Sequence, residues 1–154
     1  MYPISVAILM VLGPLTSVVL GWHHSPCTPI AQLALRWAVI WMVGGRLFIA
    51  GVRQILQPRY TAHTILGIEQ RDALLVVREL GFANLALGVI GLGSIPWPQW
   101  SSAAAIGGAI FYGLAGLNHL HAGQRTHFAR IAMLSDFWAV AVLAVCGIAV
   151  HRLG

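Results

Sequence analysis

The sequence has no lysine and little charge of either sign. Its 154 residues include nine arginines and four acidic residues, so that only 8% are charged while 58% are hydrophobic. Soluble domains carry about 25% charged residues, so this composition excludes an ordinary soluble domain. A mean hydropathy of +0.81 indicates an integral membrane protein instead. The net charge of +5 then reflects membrane topology and anionic headgroups, and we expect no nucleic-acid partner.

The short motifs of common enzymes and of metal or cofactor sites are also missing. The chain contains no CxxCH, HExxH, Walker or GxSxG pattern. The segments HHSPC (23–27) and NHLH (118–121) gather imidazoles, but helix neighbours one or two positions apart point in different directions, and a closed zinc site needs four ligands. We therefore predict no metal site, and the sequence names no cofactor. Cys27 and Cys146 leave two roles open, a disulfide and, favoured for Cys146, a small packing residue.

Five long apolar segments account for nearly all of the chain. Each is long enough to cross the hydrocarbon layer, which takes ~20 residues. The first lacks the cationic start and cleavage site of a signal peptide, so we expect it to be retained. The pattern predicts an all-α polytopic transmembrane bundle that forms a single domain over residues 1–154. The predicted spans are Pro3–Trp22, Pro29–Leu56, Asp72–Ser94, Ser101–His121 and about Ala129–Arg152. The segment TAHTILGI (61–68) predicts a short interfacial helix in the second connection.

Arginines are distributed unevenly among the connections. Arg53, Arg59 and Arg71 flank the second connection, and Arg125 and Arg130 the fourth, whereas the first and third have none. Because positive residues accumulate on the cytoplasmic side, this asymmetry predicts a cytoplasmic N-terminus and an outer C-terminus.

Polar residues interrupt the third span, in VVRELGFANLALGVIGLG (76–93). At ~1.5 Å per residue, Arg78, Glu79 and Asp136 lie about 10 Å inside the cytoplasmic ends of their helices, and Arg46 about 15 Å. An unpaired charge at mid-bilayer costs from about 3 to more than 10 kcal/mol, so such groups usually face the bundle and pair. Two interpretations stay open, namely structural ion pairs that orient the helices and a site for a ligand, substrate or proton.

Helical phase suggests that the third span is central. One of its faces carries small and polar residues and the opposite face carries Glu79 with further small residues; the two faces are Gly81, Asn84, Gly88, Gly91 and Glu79, Ala83, Ala86, Ile90. We expect both faces to be buried. Glu79 should then lie inside the bundle, within reach of at least one of Arg46, Arg53, His119 or Asp136. On the fourth span, Tyr112 shares a stripe with His119.

The segments RELGFANLALGVIGL and AIFYGLAGLNHL, followed by Asp136, resemble a family of small multi-pass bacterial membrane proteins of unknown function. The resemblance covers Thr61 to about Asp136 and implies that Glu79, Asn84, His119 and Asp136 belong to one recurring site in a bacterial plasma (inner) membrane protein. The segment GGRLFIAGVRQILQP is in addition distantly similar to the first helices of DoxX-type four-helix membrane proteins, which often accompany redox enzymes.

Three functions are compatible with these patterns. The first is binding of, or action on, a lipophilic small molecule such as a quinone or isoprenoid, with Glu79, His119 and Asp136 as candidate acid/base groups. The second is an accessory or scaffold subunit in a homo-oligomer or a larger membrane complex, and the third a small proton-coupled transporter. The predicted ligand-binding residues share a place in the cytoplasmic half of the spans: Arg46, Arg53, Arg78, Glu79, Asn84, Tyr112, Asn118, His119 and Asp136.

Overall fold

The computed structural model describes residues 2–123 and 126–153. Helices make up 86% of the chain, and the described residues contain no strand. Five helices are long and apolar enough to cross a membrane, which confirms the predicted all-α bundle with five spans. No predicted end differs from the observed one by more than two residues. The spans are Tyr2–His24, Ile30–Leu56, Ala73–Gly93, Trp100–His121 and His127–Arg152. Arg125, used above to orient the chain, lies outside the described residues.

The first two spans change helix type midway, whereas the last three are α-helical throughout. The first is α-helical over Tyr2–Ala7, π-helical over Ile8–Leu12 and α-helical again over Gly13–His24. The second follows the same order, with Ile30–Ala38, Val39–Gly45 and Arg46–Leu56. The α-helix of the fifth span ends at Leu153. The short helix predicted in the second connection is present as a π-helix over Tyr60–Leu66.

Side chains from neighbouring spans satisfy backbone carbonyls of the first two spans. Pro14 has no N–H, so the carbonyl of Met10, four residues earlier, lacks its usual helical donor. Trp138 of the fifth span donates its indole N–H to this carbonyl at 2.9 Å. Likewise, the Tyr112 hydroxyl of the fourth span donates to the carbonyl of Met42 in the π-helical segment. Because the hydrocarbon layer offers no water to these carbonyls, both bonds help to fix the spans against one another.

The glycine face of the third span is buried, as predicted, and it packs directly on the second span. A Cβ added at Gly88 would collide with the backbone of Phe48, and one added at Gly51 would lie 2.5 Å from the backbone nitrogen of Leu85. Both helix backbones are therefore in contact, which only glycine allows at these positions. Asn84 is buried on this same face.

The opposite face of the third span is not buried, so the expectation that both faces are covered is wrong. Glu79, Ala83 and Ala86 are all exposed, and of the four residues predicted on this face only Ile90 is half-buried, against the apolar core. The third span does have helical neighbours on two sides, the second and fourth spans, but it is the second span that contacts all four others. Since the bundle closes around the second span, no helix among the described residues covers the outer side of the third span.

An apolar core fills the bundle away from the second and fourth connections. It is built from residues of the first, second, fourth and fifth spans, among them Met10, Val39, Val43 and Leu143. Cys146 is half-buried against this core and Cys27 is exposed. Both cysteines are free, so the disulfide left open by the sequence is not formed and Cys146 has the packing role.

Candidate functional site

A buried ion pair joins the second and fifth spans. Arg46 Nη1 donates to Asp136 Oδ1 at 3.0 Å, and Arg46 Nη2 donates to the hydroxyl of Ser135 at 2.9 Å. Only 13% of the Arg46 side chain and 6% of the Asp136 side chain are exposed. The guanidinium also lies 5.3 Å from the centre of the Tyr112 ring. Each buried charge is thus compensated, which is the condition under which ionised groups persist away from water.

A cavity of ≈ 160 Å³ lies beside this ion pair, and all five spans contribute to its wall. The first span supplies Ser5 and Leu9, and the short π-helix of the second connection supplies Tyr60 and Thr61. The polar residues of the wall from the remaining spans are Arg46, Arg53, Gln54, Asn84, His119 and Asp136. The rest of the wall is mainly apolar, including Leu47. A concave, largely apolar pocket with a few converging polar groups is typical of small-molecule sites.

The side of the cavity formed by the second and third spans carries a second polar pair. Asn84 Nδ2 donates to Gln54 Oε1 at 2.7 Å, and the two residues are 3% and 8% exposed. Asn84 Oδ1 is buried and has no hydrogen-bond partner among the described residues. This acceptor differs from Asp136 Oδ1 and the Ser135 hydroxyl oxygen, since both of those already accept a hydrogen bond from Arg46.

Two further groups of the cavity wall, Arg53 and His119, can interact with a ligand. The Arg53 guanidinium lies 3.6 Å from the centre of the Tyr60 ring, a close cation–π contact, and no described carboxylate forms an ion pair with it. His119 is half-buried in the same wall, within electrostatic range of Asp136. With Arg46 neutralised by Asp136, the charge of Arg53 is left in excess, which favours a ligand group with lone pairs or negative charge.

The structure brings together five of the residues predicted from sequence. Arg46, Arg53, Asn84, His119 and Asp136 all line the cavity. Tyr112 is fully buried and supports Arg46 through its ring, while its hydroxyl bonds the Met42 carbonyl.

Three predicted residues lie elsewhere. Arg78, Glu79 and Asn118 are exposed and do not line the cavity. The expectation that Glu79 lies inside the bundle is therefore wrong, and no described residue forms an ion pair with it. The reason is helical phase. Asn84 faces the second span, and Glu79, five residues earlier, points about 140° away from Asn84 around the helix axis, which is roughly the opposite side.

Sequence reasoning also missed residues that belong to the cavity or its support. Gln54, Ser135 and Tyr60 each make a contact described above. A signal was available for Gln54, which is eight positions after Arg46 and therefore on the same side of the second span. Ser135 precedes Asp136 in an apolar helix, and a serine there is often a hydrogen-bond partner across spans. Tyr60 lies in a connection whose return toward the bundle no local pattern predicts.

Comparison with known protein families matches nearly the whole chain to a family model. The model described as "Family of unknown function (DUF6790)" matches residues 1–153. No curated protein and no solved structure matches the chain. The match agrees with the resemblance to a family of unknown function, whereas the likeness to DoxX-type proteins receives no support.

Proposed function

The chain belongs to the DUF6790 family of unknown function, and we propose that it binds a lipophilic small molecule, such as a quinone or isoprenoid, through a polar group held in the cavity. The observation that carries this proposal is the construction of the cavity. All five spans and the short π-helix converge on one space that is apolar except for Arg46, Arg53 and a few other polar groups. A bundle that needed only helix packing would be expected to fill such a space with side chains.

The size of the cavity sets the part of the ligand that enters. A cavity of about 150 Å³ is enough for one benzene molecule, so ≈ 160 Å³ accepts one ring or one compact head group. Ile49 and Leu80 line the cavity and are also exposed on the outside of the bundle, at 50% and 36%. We infer that a ligand tail leaves the cavity on this side and meets the acyl chains of the membrane.

The chemistry available in the cavity favours binding over a fixed catalytic scheme. Arg46 is oriented by Asp136 and Ser135, and Arg53 supplies the excess positive charge. Asp136 is committed to its ion pair, and Glu79 lies outside the cavity. His119 is then the remaining candidate for proton transfer, because an imidazole ring can both accept and donate a proton.

We place the cavity in the cytoplasmic half of the bilayer. It lies at the end of the bundle where Tyr2, Tyr60 and His119 lie, and this is the end of the arginine-bearing second and fourth connections, the side that positive residues favour. A reporter enzyme that is active only outside the cytoplasm should be active when fused to the C-terminus.

The binding proposal is tested by native mass spectrometry of the detergent-extracted protein. We expect the native chain to carry a small lipophilic molecule. Ala115, in the cavity wall, is replaced by leucine to fill the space, and Ala83→Leu on the exposed face of the third span is the matched control. The Ala115→Leu variant should lose the bound molecule while the control retains it. Retention of the same molecule at equal occupancy in both variants would refute the cavity as its site.

One observation favours the second candidate, an accessory subunit in an oligomer or larger complex. Arg78 and Glu79 are exposed on a membrane span, where charges are costly unless a headgroup or a partner helix meets them. The transporter alternative has no comparable support. Among the described residues, the core between the cavity and the first and third connections is apolar, and no row of charged side chains crosses it.

A further inference from the structure

Asn84 differs from every other polar residue of the cavity in having a buried acceptor without a donor. Its Nδ2 is used by Gln54 at 2.7 Å, whereas its Oδ1 has no partner among the described residues. The side chain is 97% buried, being 3% exposed. Buried polar atoms in proteins are nearly always hydrogen-bonded, so an unpaired one in a cavity wall points to a partner that is not part of the chain.

None of the described polar groups of the cavity, Gln54 included, donates a hydrogen bond to that oxygen. Arg46 Nη1 donates to Asp136 and Arg46 Nη2 donates to Ser135. The Arg53 guanidinium lies over the Tyr60 ring. A donor for Asn84 Oδ1 can therefore come from the ligand. An ammonium group is disfavoured as this donor, because Arg53 leaves the cavity with excess positive charge.

Polar contacts must also carry most of the selectivity of this site. Membrane acyl chains are as apolar as leucine side chains, so moving a ligand tail from lipid into a protein groove gains little. A head group that fails to pair with a buried acceptor, in contrast, leaves that acceptor unsatisfied, and sites of this kind reject analogues that lack the matching donor.

We infer that Asn84 is a specificity-determining residue that selects lipophilic molecules with a hydroxyl head group. The O–H donates to Asn84 Oδ1. This inference rests on the proposed function and narrows it. Within the two ligand classes named above, it selects the quinol over the quinone and the isoprenoid alcohol over its ether or ester.

Matched pairs of probes test the inference on the intact, detergent-solubilised protein. One pair is para-octylphenol and its methyl ether, and the other is farnesol and its methyl ether. Within a pair the molecules differ mainly in the O–H, and the two pairs distinguish an aromatic from an aliphatic alcohol as the source of the hydroxyl. Binding is measured by native mass spectrometry and by isothermal titration. For at least one pair, the hydroxyl compound should bind roughly tenfold to a hundredfold more tightly than its ether, the range expected for one unsatisfied buried acceptor.

Variants at position 84 assign the preference to that residue. Asn84→Leu should abolish it, and Asn84→Asp, which keeps an acceptor, should retain it. Ser94→Ala is the control, because Ser94 is a buried polar residue at the C-terminal end of the third span, its hydroxyl bonds only the Gly91 carbonyl, and it does not line the cavity. The ratio of the two affinities within each pair, compared between proteins, cancels differences in micelle partitioning between alcohol and ether.

The outcomes separate the inference from the function it rests on. Equal binding of alcohol and ether to the native protein, in both pairs, would overturn the inference alone, and so would a preference for the ether. Binding of none of the four probes would overturn the proposed function and the inference with it. If Asn84→Leu does not fold, the inference is still tested by comparing each probe pair on the native protein and on Asn84→Asp. Loss of the preference for alcohol over ether in Asn84→Asp would contradict the role of residue 84 as a hydrogen-bond acceptor.

Discussion

Two sets of one arginine and one carboxylate lie in the spans, and one set is buried while the other is exposed. Arg46 and Asp136 are 90 residues apart in the chain, yet they are buried and bonded at 3.0 Å. Arg78 and Glu79 are adjacent in the chain, yet both are exposed on the outer side of the third span. Depth along the helix does not separate these sets, because Glu79 and Asp136 lie at a similar ~10 Å from the ends of their helices.

The difference shows that the face of a helix, more than depth, decides what an intramembrane charge meets. Neighbouring residues on an α-helix point about 100° apart, so Arg78 and Glu79 are poorly placed to neutralise each other. Arg46 and Asp136 come from separate helices whose faces the bundle turns toward one another. The first set is part of the fold, whereas the second is available to headgroups or to a partner.

The largest effect is expected from Asp136→Asn. Removing this charge leaves Arg46 buried without its counter-ion, and loss of one member of a buried pair costs about 3–5 kcal/mol. The free energy of unfolding, measured by denaturant titration in detergent, should fall by that order. Asp72→Asn is the matched control, because Asp72 is exposed at the start of the third span and its variant should unfold like the native protein. Equal stability of the two variants would show that the ion pair does not hold the bundle.

A smaller but still clear effect is expected from Gly88→Leu. A side chain at this position collides with the backbone of Phe48, and overpacking of such contacts costs about 1–3 kcal/mol or more. Ala83→Leu, on the exposed face of the same helix, should change the unfolding free energy by less than about 0.5 kcal/mol. Thermal unfolding of both variants measures the contrast. If Ala83→Leu is the more damaging, the glycine face is not the one that meets the second span.

The smallest effect on stability is expected from Glu79→Gln. Its side chain contacts no described ion-pair partner, so the free energy of unfolding should stay within about 0.5 kcal/mol of the native value. If the exposed charge serves assembly, the variant should instead lose its oligomeric form, as measured by native mass spectrometry. A loss of stability as large as that of Asp136→Asn would show that Glu79 is buried after all and would remove the contrast between the two sets.

Particular residues show how far the sequence predicts the site. The sequence identifies a set of candidates because ionisable and amide groups are rare in apolar helices. Those that line the cavity are Arg46, Arg53, Asn84, His119 and Asp136. The same rarity also drew in Glu79, which lies outside the cavity. Composition thus flags unusual residues without saying which of them converge.

The amino-acid sequence by itself determined the class of protein, the five spans to within two residues and the glycine face of the third helix. These follow from local quantities, namely the length of apolar runs and the phase of small residues along one helix. Only the tertiary structure decided that Arg46 pairs with Asp136, that Gln54 pairs with Asn84 and that Glu79 is exposed. The physical reason is that each of these depends on how separate helices are rotated about their axes, and that rotation is set by the packing of the whole bundle.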